Sequence, residues 1–334
     1  MNILFIGGTG NISAECAALL HERGHKILVL NRGRTAVPAG YQALVADRND
    51  AAAMRAALRG VQVDVVLNFL GYDVPELQID FDLFNGRVRQ YLFISSATVY
   101  AKPPRRLPIT EEEPLGNPWW GYAQKKAACE QWLRERMAED HFPITIVRPS
   151  HTYSRFWIPN IVSSSKYNFA ARLEQGKEVF VPDDGETLWT LTAAGDFAVG
   201  LAGLAGNPKA IGEAFHITSD EALSWNRICL ETAEALGAPP PQLVKVPTDF
   251  ICQVAPQLAG NLKGDKAHPG VFDNSKIRRF VPEFQCRKPF RMGIRESVAW
   301  LRAHPEDKQY DPKIDSTIEQ VLAAWKEREA AGQG

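Results

Sequence analysis

No apolar run in this sequence approaches the ~18–20 residues a helix needs to cross a bilayer, so no membrane partner is expected. The opening MNILFIGGTG has no basic stretch before its short apolar run and turns quickly to glycine. It reads as a first strand rather than a secretion signal. Cysteine is scarce and scattered: Cys16, Cys129, Cys229, Cys252 and Cys286 are odd in number and show no C-x-x-C spacing. That argues against a disulfide framework and a structural zinc site, and fits a reduced, cytoplasmic protein without a metal. Neither sign of charge is in excess. With 38 basic and 39 acidic residues the net charge is −1, which gives no global attraction to nucleic acid. The expected partner is a small molecule.

What is present is an alternation. NILFI, KILVL, VDVVLNFL, QYLFIS, ITIVRP and AFHIT are short apolar or β-branched runs, and the first five are separated by helix-length segments. Such an order predicts an α/β protein with a Rossmann-type, doubly wound parallel sheet and a smaller C-terminal substrate lobe. The expected boundaries are 1–155 for the dinucleotide-binding domain, with returning segments at about 190–220. Residues 156–189 and 221–300 form the lobe, and 301–334 a helical tail with a polar end. One connection is short: about twenty residues, 71–90, separate two strands, room for one modest crossover helix.

FIGGTGNIS joins the first strand to the first helix. Gly7 and Gly10 permit a tight turn, and bare backbone there lets amides approach a pyrophosphate at the helix N-terminus. Thr9, Asn11 and Ile12 complete the expected cofactor turn, and Ser13 stands where the third glycine usually falls. At the end of the second strand, where an acidic residue would hold a ribose hydroxyl, the sequence reads Asn31, Arg32, Gly33, Arg34. Guanidinium groups suit a 2′-phosphate, which tilts the cofactor toward NADP with NAD as the alternative. Asp47 and Arg48 are expected to border the adenine, and Phe69 and Leu70 to line the same groove.

GGTGNIS, ADRND, ISSATVY, GYAQKKAACE, IVRPSHTY and FDNSKIRRFVPEF follow in an order that resembles extended short-chain dehydrogenases/reductases. More closely, the chain is similar to the NAD-dependent epimerase/dehydratase family, over residues 1 to about 300. The resemblance implies a catalytic triad of Ser96, Tyr122 and Lys126, with the lysine also binding the nicotinamide ribose. A phenol of ordinary pKa near ~10 must lose its proton to act as a base, and a lysine one helical turn away, together with the positive nicotinamide of the oxidised cofactor, is expected to favour phenolate.

The departures bear on substrate. Ala97 and Thr98 replace the dehydratases' acidic pair, which argues against sugar dehydration. Trp189 occupies the position of a diphosphate-binding arginine, and Leu262 and Lys263 stand where a second is found, so tight diphosphate binding is not expected. Lys263, Arg278 and Arg279 are the remaining cations for that role. Trp119, Trp120, Tyr153, Phe156, Trp157 and Trp189 fall where a substrate cleft is expected, with His151 as an added acid/base or a hydrogen-bonding residue. The expected function is an NAD(P)-dependent oxidoreductase or epimerase acting on a secondary alcohol of a sugar-like substrate. The alternative is a non-catalytic dinucleotide-binding regulator or an RNA-binding relative. Because the family's dimer interface uses the crossover helix, a monomer or a dimer through another surface is expected.

Overall fold

The computed structural model describes residues 1–332 of the 334, so the last residues of the polar tail lie outside the described part. Twelve strands form in chain order: β1 Asn2–Ile6, β2 Lys26–Asn31, β3 Gln42–Val45, β4 Val65–Asn68, β5 Gln90–Ile94 and β6 Ile144–Pro149. They continue as β7 His151–Tyr153, β8 Val179–Pro182, β9 Leu188–Ala193, β10 Ala214–Ile217, β11 Ala222–Ser224 and β12 Leu243–Val246. The main sheet runs β10-β6-β5-β4-β1-β2-β3 with every pair parallel. This is the doubly wound Rossmann-type arrangement, with its switch point between β1 and β4.

The strands read as apolar runs because both faces are covered. On β1, Ile3 and Phe5 enter one buried cluster while Leu4 and Ile6 enter another on the opposite face. Helices α1 (Ser13–Glu22), α2 (Ala51–Ala57), α3 (Val74–Phe84) and α4 (Gly121–Asp140) follow β1, β3, β4 and β5. The crossover after β4 therefore holds a three-turn helix, opened by an Asp73–Glu76 capping box. Its Leu77 and Phe84 are buried in the cluster that takes Cys129 and Leu133 of α4. Helix α4 is pinned to β6 by a buried bidentate pair: Arg148 donates to Glu130 through Nε at 2.9 Å and Nη2 at 2.5 Å.

A third cluster gathers Trp189, Trp225, Phe290 and Leu301 with Ile318, Val321 and Leu322 of the helix Pro312–Gly332, so that helix packs into the lobe rather than trailing from it. The expected boundary at 300 falls inside the helix Phe290–Ala303. Strands β7, β9 and β11 form a small separate sheet. It meets the glycine turn through Asn11, whose amide donates to Thr152 O at 3.0 Å and accepts from Ser154 N at 3.1 Å and Ser154 Oγ at 2.7 Å.

Candidate active site

Two cavities open at the C-terminal ends of the sheet strands. The first, about 470 Å³, is lined by the glycine turn and the ends of β2 and β3, with Gly7, Thr9, Gly10, Arg32, Arg34 and Asp47 among its walls. Gly7 has φ +87°, and a Cβ there would meet Leu70 Cγ at 2.5 Å, so the turn requires glycine twice over. Gly10 differs: a Cβ would make only ordinary contact, 3.4 Å from Ser13 Oγ. Its bareness serves the groove rather than the fold. Helix α1 opens at Ser13 with no side-chain cap; Ala14 N donates to Gly10 O at 3.1 Å and Gly10 N to Ser13 Oγ at 2.9 Å, and the positive end of the helix faces the turn.

Several expected groove residues have other partners. Asn31 closes the turn that carries the two arginines: its Oδ1 accepts from Gly33 N at 2.8 Å and its Nδ2 donates to Thr35 O at 3.2 Å. Arg48 touches the groove, but its guanidinium donates to Glu76 O at 2.8 Å and to Asp80 at 3.1 Å. It lines the groove as a buried wall, its guanidinium held from below by Asp80, which is wholly buried. Asn11 faces β7 as described, Ile12 packs over the α1 face of the sheet, and Phe69 stacks on Phe5 with centroids 6.0 Å apart. Leu70 does line the groove, as do Tyr72 and Glu76, which sequence reasoning missed.

The second cavity, about 440 Å³, contains Ser96, Tyr122, His151, Trp157 and Trp189 in its walls. Ser96 follows β5 as the N-cap of a short helical turn, Ala97–Val99. Its Oγ accepts from Thr98 N at 3.2 Å and from Thr98 Oγ1 at 2.9 Å. Both lone pairs are therefore taken, and the serine hydroxyl is left to act as a donor. Thr98, a departure in the motif, is what orients it.

Tyr122 and Lys126 share one face of α4, with Tyr72 against both. The Lys126 ammonium lies 4.9 Å from the Tyr72 ring centroid and 5.9 Å from that of Tyr122. Since Tyr72 lines the first cavity and Tyr122 the second, the two cavities meet across these rings, 6.5 Å apart. Lys126 donates to Gly71 O and Ile94 O, both at 2.7 Å, and burial lowers its pKa to about 8. Tyr122 moves the other way: burial raises it to about 12, opposed by a hydrogen bond from Ser96. In the protein alone the expected phenolate is not favoured, because the lysine charge is turned toward backbone carbonyls.

His151 shares a 2.8 Å hydrogen bond through Nε2 with Ser164 Oγ. Burial, then the charge of Lys266, holds its pKa well below the usual range, so it is neutral near pH 7. Trp189 is buried, donating its indole N–H to Lys266 O at 3.1 Å, and presents a wall rather than a free ring. Trp120 and Trp157 border the same space. Trp119 lies half exposed beneath Lys263, Tyr153 packs edge-on against Phe290, and Phe156 against Trp300. Of the alternative anion ligands, Lys263 pairs with Asp249 and Arg278 with Asp220, while Arg279 lies over the Phe280 ring. Among the described residues no cluster of side chains could hold a metal ion, and no helix is long and apolar enough to cross a membrane.

The NAD dependent epimerase/dehydratase family model matches residues 83–218. A 2'-dehydrokanamycin reductase from Streptomyces kanamyceticus is 26% identical over 307 residues, covering 90% of this chain and 84% of that enzyme. The chloroplast stem-loop binding protein of 41 kDa b from Arabidopsis thaliana is 25% identical over 72% of this chain and 65% of its own length. Among solved structures, the UDP-glucose 4-epimerase of Bifidobacterium longum, in complex with NAD+ and UDP, superposes with a TM-score of 0.74 at 19% identity. The match covers 92% of this chain and all of that one.

Proposed function

We infer that this member of the NAD-dependent epimerase/dehydratase family, matched over residues 83–218, is an NAD(P)-dependent oxidoreductase or epimerase acting at a secondary alcohol or ketone of a sugar-like substrate. The observation that carries the reading is the pairing of Ser96 and Tyr122 in one wall beside the glycine-turn groove. Ser96 is fixed as a donor and Tyr122 is a neutral phenol in the protein alone. Two donors at one oxygen suit a carbonyl that is becoming an alkoxide.

The first cavity suits a dinucleotide, with the bare Gly10 and the uncapped α1 toward the pyrophosphate and Arg32 and Arg34 beside the adenosine ribose. Bound nicotinamide supplies or takes up the hydride. Ser96 holds the substrate oxygen, and Tyr122 delivers its proton in reduction or removes it in oxidation. Lys126 keeps one N–H beyond its two carbonyls for the nicotinamide ribose, and a positive ring nearby lowers the Tyr122 pKa from its value in the protein alone. An epimerase performs both directions in succession, and a reductase only one. The arginines at the end of β2 favour NADP.

The test is hydride transfer followed by NAD(P)H absorbance across a panel of ketoses, keto-glycosides and polyols. Tyr122→Phe should lose about 10²-fold or more of the turnover and keep dinucleotide affinity. Retained turnover overturns the reading. Salt-sensitive retention of stem-loop RNA with no hydride transfer would favour a stem-loop binding role like that of the chloroplast relative instead. A monomer, or a dimer that leaves α3 and α4 free, is our reading of the assembly, and a light-scattering mass with crosslinks across α4 would contradict it.

A further inference from the structure

One set of charges in the second cavity does not complete its own hydrogen bonds. Asp265 and Lys266 lie on the turn Leu262–Lys266, wound at the wider π pitch that concentrates at functional sites. Lys102 Nζ stands 4.0 Å from Asp265 Oδ1, and Lys266 Nζ 3.9 Å from Oδ2. Both distances are within ion-pair range and beyond hydrogen-bond length. All three side chains are at most 12% exposed. Asp265 and Lys266 line the cavity. Withdrawn from water, such groups ordinarily sit in direct contact with their partners. Here a gap of about one ångström beyond a hydrogen bond is held open from outside. Asn117 ties the turn in place, donating to Thr98 O at 2.8 Å and Gly264 O at 2.5 Å, and Trp120 presses on Gly260 and Gly264. Lys266 is also held by Asn261 Oδ1.

The charges set the chemistry of a ligand. Lys102 also feels Glu113, whose carboxylate accepts from Arg105 N at 2.8 Å, so two lysines face two carboxylates. A phosphate offers only acceptors and would meet the Asp265 carboxylate at close range. An ammonium offers only donors and would meet both lysines. A hydroxyl accepts from lysine and donates to carboxylate with one atom, and adjacent hydroxyls on a ring do so in pairs. Trp120 and Trp157, on the same cavity, supply faces for the ring's C–H surface.

We propose that Asp265 and Lys266 form a hydroxyl clamp in the second cavity that selects an uncharged glycoside ring, not a nucleotide-linked one. This rests on the sugar-like substrate of the function proposed above, and names its class.

Binding, not turnover, is the readout, so the outcome is separable from that of Tyr122→Phe. Saturation-transfer NMR and calorimetry on the NADP-loaded protein would use methyl glucoside, methyl galactoside, myo-inositol, uridine and UDP. The expected result is binding of at least one neutral glycoside or inositol, with UDP at least tenfold weaker. Asp265→Asn, nearly the same shape, should weaken that binding at least tenfold and leave NADP affinity unchanged. Lys266→Gln serves as a second variant and should do the same. The proposal is overturned if no neutral glycoside or inositol binds, if UDP or uridine binds more tightly than each of them, or if both variants bind as the wild type does.

Discussion

Lys126 and Tyr122 stand one turn apart on α4, yet the ammonium of the first bonds to Gly71 O and Ile94 O and lies 5.9 Å from the ring centre of the second. Its pKa falls to about 8, against ~10.4 for a solvated lysine. A lysine whose folded value is depressed binds fewer protons folded than unfolded across that window. Stability must therefore rise with pH there. The burial penalty is fully present below pH 8 and is relieved as pH climbs past it. Urea midpoints for the cofactor-free protein and Lys126→Met, taken at pH 7 and 9.5, should show the wild type gaining on the variant at the higher pH.

Arg32 and Arg34 border the groove and have no ion-pair partner among the described residues, while Asn31 closes the turn that carries them. If they meet a 2′-phosphate, Arg34→Ala should weaken NADP about 10–100-fold and leave NAD nearly unchanged, the size of one or two charge-assisted hydrogen bonds. Fluorescence titration with both dinucleotides measures the ratio.

Glu130 and Arg148 are both buried, with 0% and 3% of their side chains exposed. Glu130→Ala leaves the guanidinium unpaired in the interior and should cost about 3–5 kcal/mol by denaturant unfolding. Because the pair joins α4 to β6, the loss should also loosen the helix that carries Tyr122. Hydrogen exchange along residues 121–133 would detect it.

Asn11 makes three hydrogen bonds across to β7. Asn11→Ala strands Ser154 N–H and Thr152 C=O and should destabilise by about 1–3 kcal/mol. A melting curve at fixed pH checks this.

Most of the parallel sheet was legible because six of its seven strands are buried on both faces and read as compact apolar runs, as NILFI and QYLFI do, whereas the edge strand β3, largely uncovered, leaves no such run. The glycine turn was legible because part of its requirement is local: Gly7 sits at φ +87°, which glycine adopts freely. What could not be read were the long-range commitments of polar side chains. Arg48 is claimed by Asp80, 32 residues on, and Asn11 by Ser154, 143 residues on. Neither spacing leaves a periodic trace. Tyr72 was missed because the crossover reads only as room for one modest helix and carries no motif, and Asp265 because KGDK registered only as a lost arginine motif. Its meaning depends on Lys102, which another loop delivers.

Trp120 rests on two positions that have no side chain. A Cβ on Gly260 would approach its ring to 2.6 Å, and one on Gly264 would reach its own Cβ at 2.9 Å. Two segments distant in the chain are thus locked as a unit. In a random library selected for turnover, a bulkier residue at 260 or 264 should survive only alongside a smaller one at 120, so drift toward new substrates has to proceed by paired rather than single steps.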